Sequence, residues 1–179
     1  MYLPQTNDWY DFITKQRISP PELSADTFNR TLGMLEIAVY TKAGSIIPQL
    51  LHQNTLALMR AINNPIELQI FLNSDNSAAG ILILDDGISL EDTRNDFAFE
   101  VIDGSLTVTL ISKQAQLASK VLDEISIYGL AVVPTEVTDF NGNQKTVVFD
   151  EVSSSLKVKS LGFDLTNVEI GTHRLLTYK

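Results

Sequence analysis

Cysteine is absent from this 179-residue chain. That excludes a disulfide scaffold, a thiol nucleophile and a thiolate zinc site, though it leaves the compartment open. Positive charge is scarce, with 13 Lys+Arg against 22 Asp+Glu and a formal charge of −9. Phosphate backbones are bound through clustered Lys and Arg, and no such cluster occurs, so neither nucleic acid nor an anionic membrane surface is expected as a partner. No apolar run reaches the ~18 residues of a membrane helix. The start of the chain, Met1-Tyr2-Leu3-Pro4-Gln5-Thr6-Asn7-Asp8-Trp9, lacks the basic and apolar regions of a signal peptide. Aromatic residues are few, at 8%, which disfavours a broad sugar-stacking platform.

Hydrophobic residues make up 44% of the chain and charged residues 20%. A chain of this size and composition can bury a core as one domain or two small packed ones. Its apolar residues alternate in short segments between Gly, Asn, Asp and Pro, the pattern of half-buried strands. Phe97, Phe99 and Val101 alternate before Asp103-Gly104, and Leu106, Val108 and Leu110 alternate after it. Asp-Gly suits the positive φ values of a two-residue hairpin turn, so a hairpin is predicted there. A second is predicted with Val137–Phe140 and Thr146–Phe149 paired around Asn141-Gly142. Further strands are expected at Glu36–Tyr40, Leu68–Leu72, Gly80–Leu84, Glu124–Tyr128, Leu156–Lys159 and Arg174–Tyr178. Gln49–Ala61 and Gln114–Asp123 look helical but lack caps.

The predicted fold class is therefore all-β, with two antiparallel β-sandwich modules rather than a parallel α/β sheet. A boundary near Asn63-Asn64-Pro65 divides the chain into residues 1–65 and 66–179. The first part has few strands, and Tyr2-Leu3-Pro4 with Trp9-Tyr10-Asp11-Phe12 reads like the interior of a domain. A truncated N-terminal sandwich, and hence a fragment, is the expectation.

No chemistry-bearing constellation stands out. His52 and His173 lie far apart with no metal-ligand spacing. The densest carboxylates are Asp85-Asp86 and Glu91-Asp92. Adjacent strand residues face opposite ways, so Asp85-Asp86-Gly87 reads as a turn in which Asp bonds nearby amides and Gly takes the awkward φ. It lacks the alternating ligand ladder of a calcium loop. Trp9 and Tyr10 are consecutive and should also face opposite ways, one toward a core and one toward an interface. The single-glycine segment Ala43-Gly44-Ser45 is no phosphate loop, and no cofactor motif is present. Asn29-Arg30-Thr31 fits the glycosylation pattern, which matters only on a secretory route.

Several blocks in order resemble the C-terminal region of glycoside hydrolase family 31, the α-glucosidase family. Tyr2-Leu3-Pro4…Trp9-Tyr10-Asp11-Phe12-Ile13-Thr14 is similar to the segment after that family's catalytic barrel. Val39–Pro48 resembles its "VRAGSIIP" strand, Asn64-Pro65-Ile66-Glu67-Leu68 its "NPLEL", and Gly80–Leu90 its "GELYLDDGESL". Ile125-Ser126-Ile127-Tyr128-Gly129-Leu130, Pro134-Thr135 and Asn141-Gly142 follow in family order. The chain departs from the pattern at Lys15, where Gly is usual, at Lys42, where Arg is usual, and at Tyr178, near a common terminal Trp.

The resemblance implies proximal and distal β-sandwich modules that follow a (β/α)₈ barrel, which would be the main partner. The family's catalytic aspartates sit in barrel motifs such as "DMNE", which this sequence lacks, so Asp11, Asp85 and Asp86 inherit no catalytic role. A barrel-packing surface is expected at Tyr2, Trp9, Tyr10, Phe12, Ile46 and Ile47. Outside the parent, a second copy of the chain could mask that apolar surface as a homodimer. An α-glucan or malto-oligosaccharide would be the ligand if the chain were instead a carbohydrate-binding module. A secretory or lysosomal setting would follow if the parent resembles the family's usual members.

Overall fold

The computed structural model describes residues 2–19, 30–51, 64–85, 93–114, 119–151 and 153–179. Among them the architecture is all-β, with one short 3₁₀ turn at Leu165–Asn167 as the single helical element. A small sheet holds β1 (Trp9–Asp11), β2 (Arg17–Ile18) and β3 (Tyr40–Lys42) in the order β2-β1-β3. All other strands join one large sheet: β4 (Ser45–Leu50), β5 (Ile66–Phe71), β6 (Ala78–Asp85), β7 (Arg94–Ile102), β8 (Ser105–Lys113), β9 (Val121–Tyr128), β10 (Val137–Asp139), β11 (Val147–Asp150), β12 (Ser155–Val158), β13 (Phe163–Asp164) and β14 (Gly171–Tyr178).

The large sheet runs β10-β14-β8-β7-β6-β4-β5-β9-β12-β11, with β13 beside β9. Its two halves meet at a single parallel register pair, Ser45↔Ala79. The sheet therefore folds over at β4/β6, and both halves contribute to one core. Phe97, Phe99, Val101, Leu106, Val108 and Leu110 come from one half, and Ile66, Leu68, Ile70, Ile125 and Ile127 from the other. Gly80 makes this corner possible. A methyl there would lie 2.2 Å from the Ile46 carbonyl oxygen, so any side chain would push β6 off β4.

The hairpin expected at Asp103-Gly104 is formed by β7 and β8, with Val101 opposite Leu106 and Phe97 opposite Leu110. Asp103 at φ 49 and Gly104 at φ 72 supply its turn. Other expectations need correction. Around Asn141-Gly142 the flanking strands do not pair with each other: β10 pairs with β14 and β11 with β12. Asp139 is the reason. Its carboxylate accepts the amides of Asn141 and Asn143, both at 2.9 Å, and closes a tight loop after only one bridge, Thr138↔Gln144.

Gln49 and Leu50 are strand, not helix, because β4 keeps its ladder to β5 through Leu50↔Ile66; residues 52–61 of that expected helix lie outside the described residues. Val121–Asp123 likewise belongs to β9, and residues 115–118 lie outside the description. Of Glu36–Tyr40, only Tyr40 enters a strand. Nor is pairing wholly antiparallel. β4 is built into the large sheet ahead of residue 65, and β5 runs parallel to β9 from Ile66↔Leu122 to Phe71↔Tyr128. The long crossover through β6, β7 and β8 brings the chain back in the same direction, as a parallel pair requires.

Candidate functional site

Every residue of β5 is buried. Ile66, Leu68 and Ile70 face the main core. Alternation turns Glu67, Gln69 and Phe71 to the other face, where the N-terminal segment lies. Tyr10 is fully buried there. Its ring stands 5.3 Å from Phe71 between centroids, and its hydroxyl donates to the Leu72 carbonyl at 2.7 Å. Burial pushes the Tyr10 pKa up to about 12; the Arg17 charge lowers it by less, and the Asp8 charge adds to the rise. Gly129, at φ +85, admits that hydroxyl, since a methyl there would sit 1.9 Å from it.

The turn between β1 and β2 sets this contact. The Asp11 carboxylate accepts the amides of Ile13 at 2.8 Å and Thr14 at 3.0 Å, and also pairs with Arg30. Lys15 completes the turn at φ 63, the left-handed region where glycine is favoured. Its ammonium offsets the strain by donating to Gln69 Oε1 at 2.7 Å while lying 4.0 Å from the Phe12 ring centroid. Burial lowers the Lys15 pKa, and the charge of Glu67 partly opposes that.

Beyond Gln69 the same face is polar. The Gln69 amide donates to Gln49 Oε1 at 2.9 Å, and Ser126 Oγ donates to Glu67 Oε1 at 2.6 Å. Lys157 on β12 reaches Glu124 at 2.6 Å and Glu67 at 3.3 Å. Burial alone would lower the Lys157 pKa, but its hydrogen bond to Glu124 and the charge of Glu67 raise it. Glu67 and Glu124 are direct neighbours across β5 and β9. One lysine clamps both carboxylates, and this arrangement braces three strands. The sequence reading missed it, although both glutamates alternate with core residues on their strands.

The expected packing residues are placed as follows. Tyr2 is exposed at 69%. Trp9 and Phe12 are half-buried, Trp9 beside Leu3, Ile18 and Tyr40, and Phe12 on the Tyr10–Phe71 cluster. Tyr10 and Ile46 are interior, the first in that cluster and the second in the main core. Ile47 packs against the Tyr10 cluster. Consecutive Trp9 and Tyr10 do face opposite sides, as strand geometry requires. Besides Tyr2, exposed large apolar side chains are scattered over the described residues, such as Ile81, Val132 and Ile170, and five fall in one short run. Leu32, Met34, Leu35, Ile37 and Val39 are all exposed, with Met34 at 101% and Leu35 at 97%. This run leads directly into β3, and the Val39 carbonyl accepts the Phe12 amide at 2.8 Å.

Other sites assemble less. His173 lies on β14 with Nε2 3.0 Å from the Glu169 carbonyl oxygen. Asp85 ends β6, whereas His52, Asp86, Gly87, Glu91 and Asp92 lie outside the described residues. Lys42 and Asp8 line a polar cleft of about 440 Å³ with Thr6, Asn7, Asn73 and Ser74. Asp8 is itself paired with Arg17, whose Nε donates at 3.0 Å.

Comparison with known proteins places the chain. No protein-family profile matches it. An uncharacterized family 31 glucosidase of Schizosaccharomyces pombe is 33% identical over 144 residues, which is 79% of this chain and 14% of that protein. Intestinal sucrase-isomaltase of Oryctolagus cuniculus is 29% identical over 184 residues, 92% of this chain and 9% of that protein. A probable glucan 1,3-alpha-glucosidase of Arabidopsis thaliana is 31% identical over 153 residues, 83% of this chain and 16% of that protein. The chain thus spans less than a fifth of these curated relatives.

In fold it is similar to the glucosidase II alpha subunit, with a TM-score of 0.71 at 19% identity over 100% of this chain and 21% of that one. It is also similar to a family 31 dextranase of Flavobacterium johnsoniae, with a TM-score of 0.63 at 16% identity and 24% of that chain. The chain is a homologue of one region of the family 31 glycoside hydrolases, the α-glucosidase family.

Proposed function

We propose that this chain is the non-catalytic C-terminal region of a family 31 α-glucosidase-type enzyme. Its work is to pack against the (β/α)₈ catalytic barrel and stabilise it, while the parent hydrolyses terminal α-glucosidic bonds. Residues 1–65 are then a partial proximal sandwich that lends β4 to the sheet of residues 66–179, the distal module. The small share of each relative that the chain matches supports this reading.

One observation carries it: the exposed run from Leu32 to Val39. Monomers rarely leave large apolar patches open to water, and this run puts five large apolar side chains in solvent within eight residues. A partner that covers Met34, Leu35 and Ile37 gains roughly 25 cal/mol for each Å² of apolar area removed from solvent. The surface proposed for barrel contact is therefore this run, with Tyr2 as the one expected packing residue that is largely exposed. Tyr10 and Ile46 support it from within.

The test compares two settings of Leu35→Asp and Met34→Asp. In the 179-residue chain alone, fully exposed positions should tolerate the change to within about 0.5 kcal/mol. In the full-length parent, the same substitutions should lower the temperature of half-inactivation and release the barrel contact. Equal tolerance in both settings would overturn the proposal.

A further inference from the structure

We infer that Asn141 is a site of spontaneous covalent modification, at which its side-chain amide is lost through a cyclic imide. Asn141-Gly142 lies in the loop closed by the Asp139 carboxylate, and both residues are exposed. Among the described residues the Asn141 amide side chain takes no hydrogen bond. Gly142 has φ 78, and nothing lies within 4 Å of the place a side chain would occupy. A glycine amide so unhindered is the nucleophile that cyclisation needs.

In the reaction the Gly142 nitrogen loses its proton and attacks Asn141 Cγ. A new N–C bond forms, the Cγ–Nδ2 bond breaks, and ammonia leaves with the proton. Water then opens the imide at either carbonyl, giving aspartate or isoaspartate. No oxidant or other reagent is involved.

One contact restrains the step. The Gly142 amide donates to the Asp139 carbonyl at 2.9 Å, and that bond must break before attack. The loop sits beside a three-residue strand, and such short exposed segments open locally far more readily than a core. Contrast Asn73, whose Oδ1 accepts the amides of Asp75 and Ser77 and whose Nδ2 donates to Ser77 Oγ. Its side chain is held on all sides, and serine, not glycine, follows it.

The product alters the fold locally. Either form adds a carboxylate beside Asp139, whose own carboxylate is already buried and paired with Lys145 at 3.4 Å. Isoaspartate also inserts a backbone carbon between Asp139 and Asn143, which pulls the Asn143 amide off the Asp139 carboxylate. The pairing of Val137–Asp139 with Leu176–Tyr178 should loosen as a result.

The experiment incubates the folded chain at mildly alkaline pH and maps its peptides by mass, with enzymatic methyl labelling of isoaspartate. We expect Asn141 to convert several times faster than Asn73, and the net charge to become one unit more negative than −9. Hydrogen exchange at Val137–Asp139 should quicken in the converted fraction. Asn141→Gln keeps the turn and should abolish both changes. Retention of the Asn141 amide while Asn73 converts, or conversion of both at one rate, would overturn the inference. So would conversion confined to chain unfolded in denaturant.

Discussion

The contact between Tyr10 and Gly129 makes the docking of the N-terminal segment on the large sheet measurable. Tyr10→Phe removes a buried hydroxyl that donates to the Leu72 carbonyl at 2.7 Å. A buried hydrogen bond whose acceptor is left unsatisfied is worth about 1–3 kcal/mol. Gly129→Ala meets two obstacles. Its φ of +85 costs a side chain about 1–2 kcal/mol, and its methyl would stand 1.9 Å from the Tyr10 hydroxyl. Overpacking of that kind adds about 1–3 kcal/mol.

In the double variant the nearest remaining ring atom would be Cζ at 3.1 Å, a distance small shifts can accommodate. The overpacking then largely disappears, and the hydrogen bond, already displaced in Gly129→Ala, is not lost twice. The double variant should therefore be more stable than the sum of the single losses by about 1–3 kcal/mol. Urea unfolding of the four proteins, read as midpoints at constant slope, measures this coupling. Additivity within about 0.5 kcal/mol would refute the contact.

Other predictions follow from the same face. Lys15→Gly should be more stable than Lys15→Ala by about 1 kcal/mol in thermal or urea unfolding, because only glycine relieves φ 63 once the contacts to Gln69 and Phe12 are gone. Lys157→Ala should cost about 1–2 kcal/mol in urea unfolding near neutral pH, a figure reduced by its partial exposure. Tyr10 and Tyr178 are both held neutral up to about 12 by burial. The unfolded chain releases these protons from the ordinary value of 10.0, so stability falls as pH rises from 10.0 toward about 12. Tyr10→Phe should flatten part of that fall, by up to about 3 kcal/mol for one group.

The all-β class and the β7–β8 hairpin were legible because alternation and Asp-Gly chemistry act locally. The Asn141-Gly142 loop was misjudged because a local signal cannot say which strand a segment prefers as its neighbour. Asp139 ends the local pairing, and β14 and β12 claim the flanking strands. Gln49 and Leu50 were read as helical since their own preferences are weak; the ladder to β5 decides them. Lys15 shows the opposite case. The family pattern marks that position for glycine, and the structure finds the left-handed backbone that glycine would serve.

Which apolar side chains would stay exposed was only partly legible. Tyr10 and Ile46 are as apolar as the Leu32–Val39 run, and hydrophobicity does not distinguish a side chain buried inside the chain from one left in solvent. Only fractional exposure separates them, with Tyr10 at 0% and Ile46 at 4% against Met34 at 101%.

The most direct test of the central proposal is the native size of the polypeptide that carries this sequence, read by blotting source extract with an antibody to residues 66–179. The account predicts a band far above 19.8 kDa, with α-glucosidase activity in the same fraction. A band at 19.8 kDa would contradict it, because Leu32–Val39 would then have no barrel to cover it.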